Sequence, residues 1–235
     1  MLKLVIVVAA FLLLRPQLLF AQDAHAPTNP HSIYSAVKDL VEGNARFAAG
    51  KAMHPHQKKK LMNYLAVHGQ SPLAVVMGCS DSREPVEEIF DMGAGDLFVI
   101  RTAGAVIGVD QIGSMEYAVG HLGGPVVLRL SHTNCGRVTA AVNGANEPGF
   151  LGEVIKKMDP VIKAVAGLDE SKRLDAAIEL SAKMFKEQLP LMSPVLAEAI
   201  SQKRLLVISG NYDIAVGQVK FDLPEELEYL QFVDE

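Results

Sequence analysis

The chain has 235 residues, 49% hydrophobic and 21% charged, an ordinary globular composition and enough length for one well-buried core. Its 22 basic and 27 acidic side chains give a net charge of −5, so no basic face for a nucleic-acid backbone is implied and no nucleic acid is expected as a partner. No internal repeat, low-complexity tract or dividing linker interrupts it.

In chain order, Lys3, the apolar run Leu4 to Leu14, Arg15-Pro16 and the small-residue stretch Ala21 to Ala26 read as a secretory signal peptide. It spans residues 1–21, with the cut falling somewhere from 21 to 26. The run is too short for the roughly 20 residues that cross a bilayer. The expectation is therefore an exported protein, periplasmic or secreted, with no stable membrane insertion after cleavage and a net charge of −7 without Lys3 and Arg15. From Ser32 to Ala49, Ile33, Val37, Leu40, Val41 and Phe47 fall near one helical face, which predicts an N-terminal helical arm ending at Gly50. Lys58-Lys59-Lys60 reads as a solvated helix start.

Leu73 to Met77, Leu97 to Ile100, Val126 to Leu130 and Leu205 to Ile208 are short, nearly continuous apolar runs, the pattern of parallel strands covered on both faces. Helical stretches at Pro85 to Asp91 and Ile112 to Leu122 are the predicted crossovers. Ser171 to Lys203 contains at least one helix, with Ser193-Pro194 as N-cap and first helical residue. Ala215 to Asp222 is expected to return as a strand beside Leu205 to Ile208. The fold class is thus α/β: one domain, a mainly parallel central sheet flanked by helices, and the helical arm. Gly93-Ala94-Gly95 opens a dinucleotide-like turn, but Phe98 and a following strand break that pattern.

The two cysteines each sit where an apolar run breaks into a polar loop: Cys79 in Cys79-Ser80-Asp81-Ser82-Arg83, and Cys135 in His132-Thr133-Asn134-Cys135-Gly136. Both loops lie at carboxyl ends of predicted strands, where ligand sites of such sheets gather. Cys79, His132 and Cys135 supply three zinc ligands, and three protein ligands with an open fourth position is the catalytic arrangement of Zn2+. In an oxidising compartment the rival reading is a Cys79–Cys135 disulfide. A disulfide has no use for Asp81, Arg83 or His132 at these spacings.

These turns resemble the two signatures of the β-class carbonic anhydrases, Cys-x-Asp-x-Arg as Cys79/Asp81/Arg83 and His-x-x-Cys as His132/Cys135. Glu42 to Phe47, Gly95 to Arg101 and Gly210 to Asp213 also look like family segments, so the resemblance covers nearly all of residues 27–235, the expected catalytic domain. It implies a zinc lyase that reversibly hydrates carbon dioxide to bicarbonate and a proton by zinc-bound hydroxide, working as a homodimer or dimer of dimers. Asp81, held by Arg83, then serves as the catalytic acceptor that aims the attacking oxygen. In some members the matching aspartate closes onto zinc as a fourth ligand, a state open to Asp81. Gly104 is expected to let a backbone loop approach the substrate pocket. The alternatives are a same-fold hydrolase for another small substrate such as carbon disulfide, and a silent zinc- or bicarbonate-binding protein. Three positions depart from the family pattern: Glu84 for an apolar residue, Ser131 for glycine and Ala105 for asparagine. Arg101 and Tyr212 match two residues of a second bicarbonate site found in some members, but Val76 stands in place of its tryptophan. No histidine among His54, His56, His68 and His121 is singled out as a proton shuttle.

Overall fold

The computed structural model describes residues 29–232, so the expected leader and cleavage site lie outside the described residues. Five strands form one sheet: β1 (Ala74–Cys79), β2 (Leu97–Thr102), β3 (Val126–His132), β4 (Leu206–Tyr212) and β5 (Val219–Asp222), in the order β2-β1-β3-β4-β5. The first four run parallel and β5 is antiparallel to β4. Every residue of β1 and β3 is buried, as expected for central strands with both faces covered.

The apolar runs found their strands, but all four strands extend beyond them. β1 continues through Gly78 to Cys79, β2 through Arg101 to Thr102, β3 through Ser131 to His132, and β4 through Ser209, Gly210 and Asn211 to Tyr212. Ladder pairing to neighbouring strands carries those polar residues, so hydropathy alone could not mark the ends. β5 begins at Val219, not Ala215, because Asp213 closes a tight turn: its amide donates to the Gln218 carbonyl and its carbonyl accepts the Gly217 amide, each at 2.8 Å.

Helix α1 (Ile33–Ala48) is closed at its start by reciprocal Ser32 and Ser35 bonds. Its apolar face meets the sheet through Ala36, Val37 and Leu40. Helix α2 (Lys59–His68) starts at the lysine cluster and has no buried residue. The crossovers α3 (Val86–Ile89) and α4 (Val109–Gly120) join β1 to β2 and β2 to β3. Between β3 and β4 lie α5 (Gly136–Val142), α6 (Gly149–Lys156), α7 (Asp159–Val165), α8 (Glu170–Met192) and α9 (Pro194–Ser201). Ser193 caps α9 by accepting from the Leu196 amide at 3.1 Å. Among the described residues no helix is long and apolar enough to cross a membrane.

Two polar contacts fix α1 over the sheet. Buried Asn44 donates to the Ile89 and Gly217 carbonyls at 3.1 and 2.9 Å and accepts from the Val219 amide at 2.8 Å. Arg46 Nε donates to Asp91 Oδ2 at 2.6 Å, and Asp91 Oδ1 accepts the Met53 and His54 amides at 2.9 and 2.8 Å. Burial pushes the Asp91 carboxyl up, but Arg46 and the two amides outweigh it and leave its pKa below the ordinary 3.8.

A carboxyl whose folded pKa is depressed contributes stability above its unfolded pKa and loses it as pH falls through the folded value. Asp91→Asn should therefore lower the unfolding free energy by about 2 kcal/mol at neutral pH, the scale of a charged hydrogen bond. Urea titrations at stepped pH should show that gap shrinking below about pH 4, where the wild-type carboxylate protonates.

Candidate metal centre

The centre is assembled by adjacent parallel strands. Met77 of β1 lies level with Arg129 of β3, so the two strands end side by side and deliver Cys79 and His132 to one edge. A two-residue turn then brings in Cys135, the N-cap of α5. Asn134 takes the left-handed conformation this turn needs, with φ 55°, a conformation asparagine tolerates better than most residues. The turn is pinned to the end of β4: the Thr133 amide donates to the Tyr212 carbonyl at 2.9 Å, and Thr133 Oγ1 accepts the Ile214 amide at 3.2 Å.

Ligand atoms of Cys79, His132 and Cys135 all lie within 4.8 Å of one another, and all three residues are buried. Both cysteines are free thiols. His132 Nδ1 is 2.9 Å from the Thr133 carbonyl, so it is the nitrogen that carries hydrogen. Nε2 is left buried, without a hydrogen-bond partner, and turned toward the cluster. An orphaned imidazole nitrogen beside two sulfurs is a donor set suited to Zn2+, and a backbone carbonyl on the opposite ring nitrogen is the usual support for a ligating histidine.

Charge in the site is set by hydrogen bonds. Cys79 is driven toward the thiolate first by the Cys135 thiol, against burial, and further by amides of Asp81 and Gly104 that reach its Sγ at 3.4 and 3.2 Å. Cys135 moves the opposite way, because it shares its proton with Cys79 and is buried. Arg83 grips Asp81 at both oxygens, Nε to Oδ1 at 2.9 Å and Nη2 to Oδ2 at 2.7 Å. That pairing, helped by the Arg83 amide, holds the carboxyl well below the usual carboxylate range. Asp81 Oδ2 lies 3.9 Å from His132 Nε2, close to the cluster but engaged with Arg83. Arg83 Nη2 also reaches the Asn134 carbonyl at 3.3 Å, tying the two ligand turns together. The expected Asp81–Arg83 pair is formed, but it is not a buried one, since the side chains are 18% and 50% exposed.

Gly104 sits beside the cluster with φ 64°, and a Cβ there would come within 2.2 Å of Arg137 Cδ. Only glycine meets both demands. Gly104 lines a small cavity with the three ligands and gives its amide to Cys79, so it supports a ligand as well as bordering the pocket.

Two contributors were not singled out for a role in the sequence. Arg101 donates to the Cys79 carbonyl at 2.7 Å and the Asp81 carbonyl at 2.6 Å, bracing the first turn. Its guanidinium is thus committed to backbone, and Val76 is wholly core. Glu84, with no exposed surface, accepts the Cys79 amide at 2.8 Å through Oε1, while Oε2 has no hydrogen-bond partner and lies 3.8 Å from His132 Nε2. Burial pushes Glu84 up to about 7, against the pull of His132, the Cys79 amide and Arg129. Its mismatch with the family pattern was the available signal; where it points is a property of the fold. Ser131 is satisfied by bonds to Gly210 and Asn211, and Ala105 holds φ 49°, a conformation that suits asparagine better than alanine.

Residues 74–219 match the family model described as "Carbonic anhydrase". The chain is 36% identical over 200 residues to a carbonic anhydrase of Mycolicibacterium smegmatis, covering 82% of this chain and 93% of that one. It is likewise 36% identical to carbonic anhydrase 2 of Mycobacterium tuberculosis, over 81% and 92% of the two chains. Among solved structures it resembles a tetrameric β-carbonic anhydrase from Sordaria macrospora, with TM-score 0.64, 27% identity and coverage of 77% and 94%. The β-carbonic anhydrase CafA of Aspergillus fumigatus gives TM-score 0.63 at 29% identity over 80% and 92%. A parallel sheet with a Cys/His/Cys cluster at its carboxyl edge and these matches define the class, and the chain belongs to the β-class carbonic anhydrase family. It is an enzyme of that class.

Cys135→Ser should strip the metal without unfolding the sheet, because it removes one of three ligands at a turn. Elemental analysis of purified protein should read about one zinc per chain in the wild type and less than about a tenth of that in the variant.

Proposed function

We propose that the chain catalyses the reversible hydration of carbon dioxide to bicarbonate and a proton, with Zn2+ held by Cys79, His132 and Cys135. The observation that carries this reading is the pairing of that cluster with an ionised Asp81, locked by Arg83 and 3.9 Å from the free imidazole nitrogen. The relatives named above, called carbonic anhydrases, support the substrate.

Zinc, when bound, supplies the Lewis acidity that lets water act as a nucleophile near neutral pH. The remaining work falls to the chain. His132 is oriented by the Thr133 carbonyl so that Nε2 is the coordinating atom. Cys79 is prepared as a thiolate by the amides of Asp81 and Gly104. Asp81, kept ionised, can only accept hydrogen bonds, so it would accept one from the attacking oxygen and leave that oxygen's lone pair facing carbon. Arg83 fixes the carboxylate plane and, while the pair holds, keeps Asp81 from swinging onto the metal as a fourth ligand.

Assembly as a dimer or dimer of dimers is part of the proposal. The edge strand β2 leaves Leu97, Phe98 and Val99 only partly covered, and the Sordaria relative is described as tetrameric. Light scattering on the purified protein should give at least twice the chain mass.

Asp81→Asn keeps the shape but offers the wrong group, so it should retain zinc and lose about 100-fold or more in CO2 hydration, the scale of a positioned acid–base group. Arg83→Ala should fall in the same direction. Stopped-flow hydration assays paired with metal analysis decide the matter: undiminished activity in both variants removes the pair from the mechanism, and an inactive zinc-replete wild type removes the reaction.

A further inference from the structure

Behind the metal centre lies a second cavity of about 190 Å3, between the 103–107 loop, α7 and α8. Three cationic side chains line it, Arg129, Arg137 and Lys157, and no acidic residue does. We propose that this cavity is a binding site for a compact oxyanion, such as phosphate, sulfate or bicarbonate, held by Arg129, Arg137 and Lys157.

Arg129 lies on a fully buried central strand and is itself only 5% exposed. Its one hydrogen bond among the described residues runs from Nη1 to the Leu130 carbonyl. None of the ion pairs among the described residues includes Arg129 or Arg137. A buried guanidinium without a counter-charge is costly, and proteins seldom keep one unless a ligand completes it.

Arg137 increases that cost. It bonds the Val154 and Gly104 carbonyls at 3.0 and 2.9 Å, and these are neutral partners. Lys157 donates to the Ile107 carbonyl at 3.2 Å from the exposed mouth of the same cavity. Burial outweighs the opposite charges that act on Arg129, those of Glu84 and the two site sulfurs, and none of them pairs with it. Two thiolates bound to Zn2+ would carry no net charge to spare. An anion carrying several acceptor oxygens satisfies the unused donors of both arginines together, in the geometry guanidinium groups favour. The cavity also has room for such an anion with several waters. Neither Arg101 nor Tyr212 borders it, so it is separate from the second bicarbonate position implied by resemblance.

The site is coupled to the metal centre through one residue. Arg137 holds the Gly104 carbonyl, and the Gly104 amide holds Cys79 Sγ. The proposal does not depend on the CO2 reading and is tested without an activity assay. Zinc-replete protein is titrated calorimetrically with sodium phosphate at ionic strength fixed by sodium chloride. The wild type should bind one phosphate per chain saturably; Arg129→Met should abolish binding, and Lys157→Met should weaken it about tenfold, the loss of one charge-assisted bond. Zinc content, measured in every sample, excludes phosphate bound at the metal as the source of the difference. Competition by bicarbonate or by sulfate distinguishes the reaction's own anion from an unrelated one, and displacement by either supports the site. Absence of saturable phosphate binding to the wild type overturns the proposal. So does wild-type affinity in Lys157→Met, whose exposed side chain can be replaced without risk to folding, whatever happens to Arg129→Met.

Discussion

The parallel pairing of β1 with β3 is the constraint on which the site depends. Because these strands are neighbours and end together, a cysteine closing one and a histidine closing the other meet although α3, β2 and α4 separate them in the chain. A one-residue slip would turn Cys79 or His132 to the opposite face of the sheet. The alternating apolar residues fix the register: Val75, Met77 and Val127 go to one cluster, and Ala74, Val76, Leu128 and Leu130 to the other. Core packing therefore sets ligand geometry, and the metal inherits an arrangement the hydrophobic effect has already specified.

The second layer is a set of backbone groups turned inward by the two loops. Amides of Asp81 and Gly104 face Cys79, the Thr133 carbonyl faces His132, and Arg101 binds the carbonyls of Cys79 and Asp81. Arg83 closes the assembly by joining Asp81 to Asn134 across the two turns. These contacts need φ values that few residues accept, which places the left-handed Asn134, Gly104 and Ala105 beside the cluster. Rigid strands supply position, and the strained loops supply orientation.

How much of this was legible in the sequence follows from what each feature rests on. The four parallel strands and α1 announce themselves by hydropathy, and the three ligands with Asp81 and Arg83 by spacing. Helices α5 to α7 do not: they are short, with Gly144 past the end of α5, Gly149 opening α6 and Pro160 in the first turn of α7, and their buried positions are few. Arg101 reads in the sequence as a match to the second bicarbonate site, and only the fold brings the Cys79 and Asp81 carbonyls within its reach. Glu84 and Arg129 illustrate the limit best. Glu84 departs from the family pattern and Arg129 breaks an apolar run, yet only the tertiary structure shows what either side chain faces.

Those two buried charges also bear on how the centre is tuned. Glu84 lies against Gly78, where a Cβ would come within 2.3 Å of its carboxylate, so the absence of a side chain at that position makes room for it. It approaches His132 on the face of the sheet that carries Val86, whereas Arg129 shares the opposite face with Val127. A Zn2+ neutralised by two thiolates exerts little net field, so fixed charges near it weigh more than they would beside a cationic zinc held by neutral ligands. With Zn2+ held by Cys79, His132 and Cys135, an ionised Glu84 at His132 would strengthen the imidazole as a donor, and a guanidinium behind the cluster would act in the opposite sense. Under the proposed reading the balance between Glu84 and Arg129 across β3 would tune the acidity of the site, while Asp81 and Arg83 would orient the reacting water rather than set its charge.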